Sequence, residues 1–533
     1  MFCKRIFLIR IQKKITLKDQ SMHFLLTCLF FLSLSGFSKE VSTPLSSLYH
    51  SLDPLSIAEN LAFYELYPDS EEGTLSLKRA TTLLCNEDSL EGSSLTLPKL
   101  DLQAIISLVT KQPSDPPIEL TSDQLKVMEK IGSKLPNRKL KGFQAWSQDE
   151  VIALPPEEID LARALFLCQF EDDPQFKNKV LQYEASLDLM ALQIKQRLKK
   201  DSSHEEIIRQ INRFIFQEMG FRFPPHSVYA KDIDLYTFLP SVLDSRRGVC
   251  LGVSILYLCL AQRMDLPLEI ITPPGHIYLR YPSPDGIINI ETTARGIHLP
   301  SEKYLGINTR HLENRNIKEV IGWSFVNQAS VSWGKQDYAT TVAVYEKAFR
   351  YIPEDPLLHM LLGMNYLFIG KKKEGKELLS KLNPLFDHAV SPETLPIDYL
   401  EGNVDAEGLK AIFVSVDENR HSILAKQASL QKILKKFPKF RAGLMQLATT
   451  YLQLGRTSEA FDTLLKYHKL DPNDSTVEYY LSALSLERLD YLKAWDHLKQ
   501  AEKLTQSRNH KPKALKELRS ELRQRCPDPT HNI

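Results

Sequence analysis

The chain has 533 residues, 43% of them hydrophobic, and its 67 basic and 66 acidic side chains leave a formal net charge of +1. That length allows about three domains with ordinary cores. So even a charge balance gives no electrostatic argument for nucleic acid or an anionic membrane; no phosphate-binding glycine loop, dinucleotide fingerprint or nucleic-acid stacking module is present, and no cofactor is expected.

In chain order, residues 1–38 read as an address. Lys4, Arg5, Arg10, Lys13, Lys14 and Lys18 precede an apolar core at 23–37 that ends in small residues, the pattern of a signal peptide. The apolar run is short for a membrane span. The expected location is periplasmic or secreted, or cytoplasmic if this segment is an amphipathic N-terminus, and Met22 is an alternative start. Of seven cysteines, Cys3 and Cys28 fall here. Cys85, Cys168, Cys250, Cys259 and Cys526 remain, an odd and widely spaced set that makes no disulfide framework.

Residues 39–142 are polar and turn-rich, with helical pieces at 54–67 and 122–131, a loop at QPSDPP (112–117) and no recognisable chemistry. From 143 the chain turns strongly helical. Pro155-Pro156-Glu-Glu is expected to open a helix through Phe170, residues 178–199 carry apolar positions at helical spacing, and Ser203 caps a helix over 205–218 that stops at Gly220.

The stretch that carries chemistry is RRGVCLGVSILYLCLAQRMDLPLEIITPPGHIYLRY, 246–281. Cys250 follows Gly248 and opens a run, 251–264, that is apolar nearly all round and reads as a helix buried in a core. A cysteine in the first turn of such a helix feels the positive end of its dipole, which favours thiolate. Beyond the Pro273-Pro274-Gly275 break, 276–281 alternates as a strand, 282–286 is turn chemistry and 287–291 alternates again. A loop over 282–285 would pair Tyr281 with Gly286 and set His276 opposite Glu291. Residues so opposed share a face with Cβ atoms about 4.5–5.5 Å apart, close enough for the carboxylate to orient the imidazole. Cys250, His276 and Glu291 then form a Cys-His-acid constellation for nucleophilic acyl chemistry. A zinc reading of Cys250, Cys259, His276 and Glu291 fails, because nine residues of helix hold the two cysteines roughly 13 Å apart, and no metal is expected. Cys168 and Cys259 read as inert core residues. Arg246 and Arg247 are either a contact for an acidic substrate group or surface turn charges, and His298 and His311 read as surface residues.

The pattern G-x-C, apolar helix, R-x-x-L-P, G-H and a later acid resembles the transglutaminase-like superfamily, whose fold is related to papain-like cysteine proteases. IDLARALFLCQFEDDPQF (159–176), INRFIFQEMGFRF (211–223) and FLPSVLDSRRG (238–248) resemble the bacterial SirB-type proteins, which join such a domain to tetratricopeptide repeats. The resemblance covers about residues 150–300. It implies an α+β domain over 143–318, with Cys250 as nucleophile, His276 as base and Glu291 where aspartate is usual. Many SirB-type sequences have proline at the position of Cys250 and lack an intact triad, so the resemblance also implies a non-catalytic alternative.

Repeats follow over 319–510. Gly455, Ala460, Leu464 and Pro472 mark one unit, and the first three recur 34 residues on as Leu489, Ala494 and Leu498, the tetratricopeptide period. Earlier copies phase on Tyr338, Tyr345, Ala348 and Pro353, and on Gly370, Gly375, Leu379 and Leu382. The stretch 392–440 fits poorly, although Leu430, Ile433 and Pro438 are in phase. Residues 511–533 read as a basic capping helix and a polar tail. The expected molecule is mainly helical, a transglutaminase-like α+β domain followed by an all-α solenoid, with a protein or peptide partner for the repeats or a supporting contact between repeats and domain. Its expected function is exported thiol-dependent acyl chemistry on amide or peptide bonds, by hydrolysis or transfer. The alternative is an inactive scaffold for protein assembly.

Overall fold

The computed structural model describes residues 45–85, 106–108, 119–224, 236–414, 416 and 419–528. The expected signal segment and the loop at 112–117 lie outside the described residues. One compact unit ends at Ile131 and another takes in the chain from Gly132 onward. The first contains α1 (Leu45–Ser51), α2 (Ile57–Leu66), α3 (Glu71–Cys85) and, across its far boundary, α4 (Ser122–Gly132). Ser56 caps α2. The buried Ser76 of α3 donates to the carbonyl of Asn60 at 2.9 Å, locking those two helices face to face.

The second unit opens with α5 (Gln148–Ala153), α6 (Leu161–Phe170), α7 (Phe176–Lys195), α8 (His204–Asn212), α9 (Leu239–Ser245) and α10 (Cys250–Arg263). Pro155-Pro156 opens only a 3₁₀ turn, Pro156–Glu158. The helix proper starts after Asp160, whose carboxylate accepts the Arg163 N–H at 3.0 Å and so supplies the N-cap. Helix α8 is capped by Ser203, as its sequence predicts, and runs into a π-helical turn, Arg213–Glu218, before the left-handed Gly220. In α10 every residue except Gln262 is buried, which is what a run without a polar face requires.

Strands β1 (Glu269–Thr272), β2 (Tyr278–Ser283), β3 (Gly286–Ile290) and β4 (Glu313–Arg315) form an antiparallel sheet in the order β3-β2-β1-β4, and α10 packs on β2. The β2–β3 register differs from the predicted one. Ser283 pairs with Gly286 and Tyr281 with Ile288, so the connection is the two residues Pro284 and Asp285, and His276 precedes the strand. Gly286, at φ 136°, takes a backbone conformation that a side chain would strain, which lets the turn close two residues sooner.

Buried charge fixes α10 against its neighbours. Arg263 is 0% exposed and its Nε donates to Asp188 of α7 at 2.8 Å, while its Nη1 donates to the Cys259 carbonyl at 3.2 Å. Arg138 engages the other Asp188 oxygen. One helix away, Arg163 grips Glu184 with two parallel bonds of 2.7 and 2.8 Å, the bidentate geometry that best compensates a desolvated pair.

The remaining helices are α11 (Ile317–Gly334), α12 (Tyr338–Phe349), α13 (Pro356–Phe368), α14 (Lys372–Lys381), α15 (Thr394–Leu400), α16 (Ala406–Ile412), α17 (Arg420–Lys436), α18 (Arg441–Gln453), α19 (Thr457–Leu470), α20 (Ser475–Glu487), α21 (Tyr491–Gln506) and α22 (Lys513–Arg525). Pairs α11/α12, α13/α14, α18/α19 and α20/α21 turn through Gln336, Gly370, Gly455 and Leu489, all with positive φ. Within each half these turns are 34 residues apart. Ala348, Ala460 and Ala494 are fully buried where the paired helices approach. Leu515, Leu518 and Leu522 of α22 close the stack over Trp495. Among the described residues no helix is long and apolar enough to cross a membrane.

The Arg263–Asp188 contact predicts a large loss on Asp188→Ala. Removing one partner leaves buried guanidinium charge uncompensated, at about 3–5 kcal/mol. Urea unfolding followed by circular dichroism should show that loss, and a change below about 1 kcal/mol would refute the role given to the pair.

Candidate active site

Cys250 is the first residue of α10, with Val249 as an N-cap that supplies no side-chain bond. The approach to it is held by backbone pairing: Gly248 N–H to the Arg222 carbonyl at 3.1 Å and Val249 N–H to the Tyr236 carbonyl at 3.2 Å. Gly252 is needed here, because a Cβ at that position would sit 2.1 Å from the Tyr236 oxygen. The thiol therefore enters at the positive end of a fixed helix. Its residue is 8% exposed.

His276 is placed by a turn. Pro274 and Gly275 occupy the centre, Gly275 with φ 76°, and the His276 N–H returns to the Pro273 carbonyl at 3.0 Å, a type II arrangement for which Pro then Gly are the suited residues. Glu291 follows directly on β3 and caps a short 3₁₀ turn, Thr292–Ala294. Ser254 of α10 and Thr292 share a buried hydroxyl bond of 3.0 Å, which ties the thiol-bearing helix to the acid-bearing turn.

The three predicted residues come together. His276 Nε2 lies 2.7 Å from Glu291 Oε2, and the ring is also hydrogen-bonded to the Cys250 side chain. With Nε2 taken by the carboxylate, Nδ1 is left for the sulfur. The pair survives the altered register because a slip of two residues keeps every side chain on its face. Glu291 is diagonal to His276 rather than opposite it, and the longer reach of glutamate spans the offset.

Tyr304 and Thr293 complete the site, and neither carried a sequence signal. The Tyr304 hydroxyl donates to Glu291 Oε2, and its ring stacks on His276 with centroids 5.4 Å apart and on Tyr278 at 4.8 Å. Thr293 gives its N–H, at 3.1 Å, and its hydroxyl to Glu291 Oε1. Both carboxylate oxygens are thus saturated. Behind them Arg280, Asn289 and Ser301 form a second network, with Arg280 Nε donating to Asn289 Oδ1 at 3.1 Å and Arg280 Nη2 donating to the Tyr278 hydroxyl at 3.0 Å. Only the stretch after Glu291 being tightly folded brings Tyr304 back, a long-range outcome that local pattern does not encode.

The electrostatics follow from this geometry. Burial alone would push His276 down, but the hydrogen bonds and charges of Cys250 and Glu291 outweigh it and raise the imidazole to about 9. Burial likewise opposes the Glu291 charge, yet His276, Thr293 and Tyr304 hold it down at about 2. The arrangement therefore favours an imidazolium held by the Glu291 carboxylate across neutral pH.

Other candidates fall outside. Cys259 is fully buried and burial pushes its thiol far up, as it pushes Cys168 up to about 12. Arg246 sits in the left-handed region and donates to the Met219 carbonyl at 3.2 Å, a turn role. His298 accepts the Asn289 N–H at 3.0 Å, and His311 pairs with Asp387 at 3.2 Å.

Residues 181–317 match the family model described as the transglutaminase-like superfamily. Curated relatives include UPF0162 proteins of Xylella fastidiosa strains 9a5c and Temecula1 / ATCC 700964, each 22% identical over 36% of this chain and 71% of the relative. Solved structures that the chain is similar to include MamA, 15% identical over 34% of this chain and 96% of that one with a TM-score of 0.19, and the TPR2AB domain of yeast Sti1 in its pHSP90 complex, 17% identical over 38% and 83% with a TM-score of 0.20. The tetratricopeptide character of the C-terminal helices rests on their own pairing and 34-residue period.

The paired shifts set a pH window. Raised from 6.5, His276 contributes its full stabilisation below that value and loses it as pH rises through about 9. Glu291, lowered from 4.5, contributes fully above that value and loses its share as pH falls through about 2. The difference in thermal midpoint between wild type and His276→Gln should therefore be greatest near about pH 5–6 and shrink above about pH 9. A difference that stays flat over this range would contradict the assigned pair.

Proposed function

We propose that the chain performs acyl chemistry on amide, peptide or ester carbonyls with Cys250 as nucleophile. The observation that carries this reading is His276 hydrogen-bonded at once by the Cys250 side chain and by a saturated, buried Glu291. The thiolate attacks the carbonyl carbon and the imidazolium hands its proton to the departing amine or alkoxide, leaving a thioester and a neutral His276. His276 then takes a proton from the water or amine that attacks the thioester. Water gives hydrolysis and an amine gives transfer. Glu291 does not exchange protons in this scheme; it holds the ring and stabilises its charge. The Cys250 backbone N–H, at the start of α10, is a candidate oxyanion donor. The basic and apolar pattern of residues 1–38 supports export, and the paired-helix solenoid supports a protein or peptide partner.

A non-catalytic scaffold is the second reading, favoured by the 8% exposure of Cys250. The two separate on the pH dependence of Cys250 alkylation by iodoacetamide, resolved by mass spectrometry. The enzyme reading expects rapid labelling with an apparent pKa well below the roughly 8.5 of a free thiol, lost in His276→Ala. Slow labelling that ignores His276 would remove the enzyme reading and leave the scaffold.

A further inference from the structure

The last repeats assemble a second cluster of ligating side chains, remote in sequence from the thiol. His468 lies in the last turn of α19, Glu478 in the first turn of α20 and His497 midway along α21. Asp474 caps α20 by accepting the N–H groups of Thr476 and Val477 at 2.8 and 3.1 Å. Glu478 thus occupies the positive end of a well-formed helix, which favours a buried carboxylate. It is 1% exposed. Both imidazoles turn Nδ1 towards it, His468 to Oε1 at 2.5 Å and His497 to Oε2 at 2.8 Å. Their rings are nearly perpendicular, at 88°, with centroids 5.5 Å apart. One donor atom from each of the three residues can be chosen so that all lie within 4.8 Å of one another.

We propose that His468, Glu478 and His497 bind a divalent transition-metal ion of the zinc class. Two imidazoles and one carboxylate suit zinc, cobalt or nickel, whereas calcium and magnesium call for shells of oxygen. Bonds of about 2.0–2.2 Å set donors roughly 3.3 Å apart, so the 2.5 and 2.8 Å nitrogen–oxygen contacts open as the wider donor separations, up to 4.8 Å, draw in. The adjustment falls mainly to His468, whose side chain is 32% exposed against 13% for His497. Three protein ligands leave a fourth position on the solvent side for water or an external donor. Binding replaces the shared Nδ1 protons with the ion. Because the ligands come from α19, α20 and α21, the ion joins two consecutive helical hairpins.

The test uses the full chain carrying Cys250→Ser, which removes the thiol as a competing ligand, stripped with chelator and titrated with Co²⁺ and Zn²⁺. The expected result is one equivalent of Co²⁺ with the visible absorption of a four-coordinate site, and a thermal midpoint raised by Zn²⁺. Adding His468→Gln and His497→Gln should weaken Zn²⁺ binding by more than about 100-fold, beyond the cost of losing a supporting partner. Glu478→Gln serves as the second variant, since an amide keeps the shape of the cluster but is a poor ligand. Absence of Co²⁺ absorption and of Zn²⁺ stabilisation in the Cys250→Ser protein overturns the proposal. So does binding that persists in both ligand variants. Either result would leave a carboxylate that is only hydrogen-bonded by two histidines.

Discussion

A guanidinium with no access to water must find its counter-charge inside the protein, and Arg263 finds it on Asp188. A helix that is apolar on every side could settle at many depths and rotations with similar burial. The Arg263–Asp188 pair and the bond from Arg263 to the Cys259 carbonyl remove that freedom at the C-terminal end of α10. At the other end Gly252 admits the Tyr236 carbonyl, and only one rotation of the helix puts that missing side chain there. The thiol of Cys250 is thus fixed from two ends. Ion pairs of this kind are weak as net stabilisers. Their contribution here is positional: they fix the register of one helix, and the placement of the Cys250 thiol depends on that register.

How much of the site is legible in sequence depends on whether each residue is placed by local pattern or by the fold. Cys250, His276 and Glu291 were legible because helix start, Pro-Gly break and strand alternation are local signals. The predicted hairpin register was two residues off, yet the pair formed, since side-chain alternation depends on parity and not on the exact partner. An error of one residue would have turned Glu291 away from the ring. Tyr304, Thr293 and the second network of Arg280, Asn289 and Ser301 were not legible, because each is brought in by the fold of 291–304 and not by any spacing. Arg263 was visible as part of R-x-x-L-P, but nothing local says that its partner is Asp188. His468, Glu478 and His497 are more remote still, contributed by three successive helices.

The repeats show the complementary case. Their period was plain from small residues and turn positions, and the interruption at 392–440 was visible only as a failure to fit. The structure gives a neighbouring stretch a physical role. Thr309 bridges Ala389, the Val390 N–H reaches the Asn308 carbonyl at 3.2 Å and Arg310 pairs with Asp387 at 2.6 Å. The segment leading into the interruption is therefore a seam with the transglutaminase-like domain. A strict 34-residue repeat has no residues to spare for such a seam.

Further contacts extend that seam along the chain. Lys318 donates to the Ile152 carbonyl at 2.8 Å, Arg315 meets Asp355 at 3.3 Å, Ile307 enters the core around Trp495, and His510 holds the Gly306 carbonyl at 2.8 Å. Gly306 is two residues from Tyr304, whose hydroxyl sits on the Glu291 carboxylate. One short stretch, 291–315, thus carries the acid, the tyrosine that helps saturate it and many of the contacts to the repeats. Fixing Tyr304 requires fixing that stretch, and much of its fixing comes from the helices beyond it. The solenoid therefore belongs to the folding of the candidate site as well as to any recognition it performs, which is why the chain from Gly132 onward is a single compact unit.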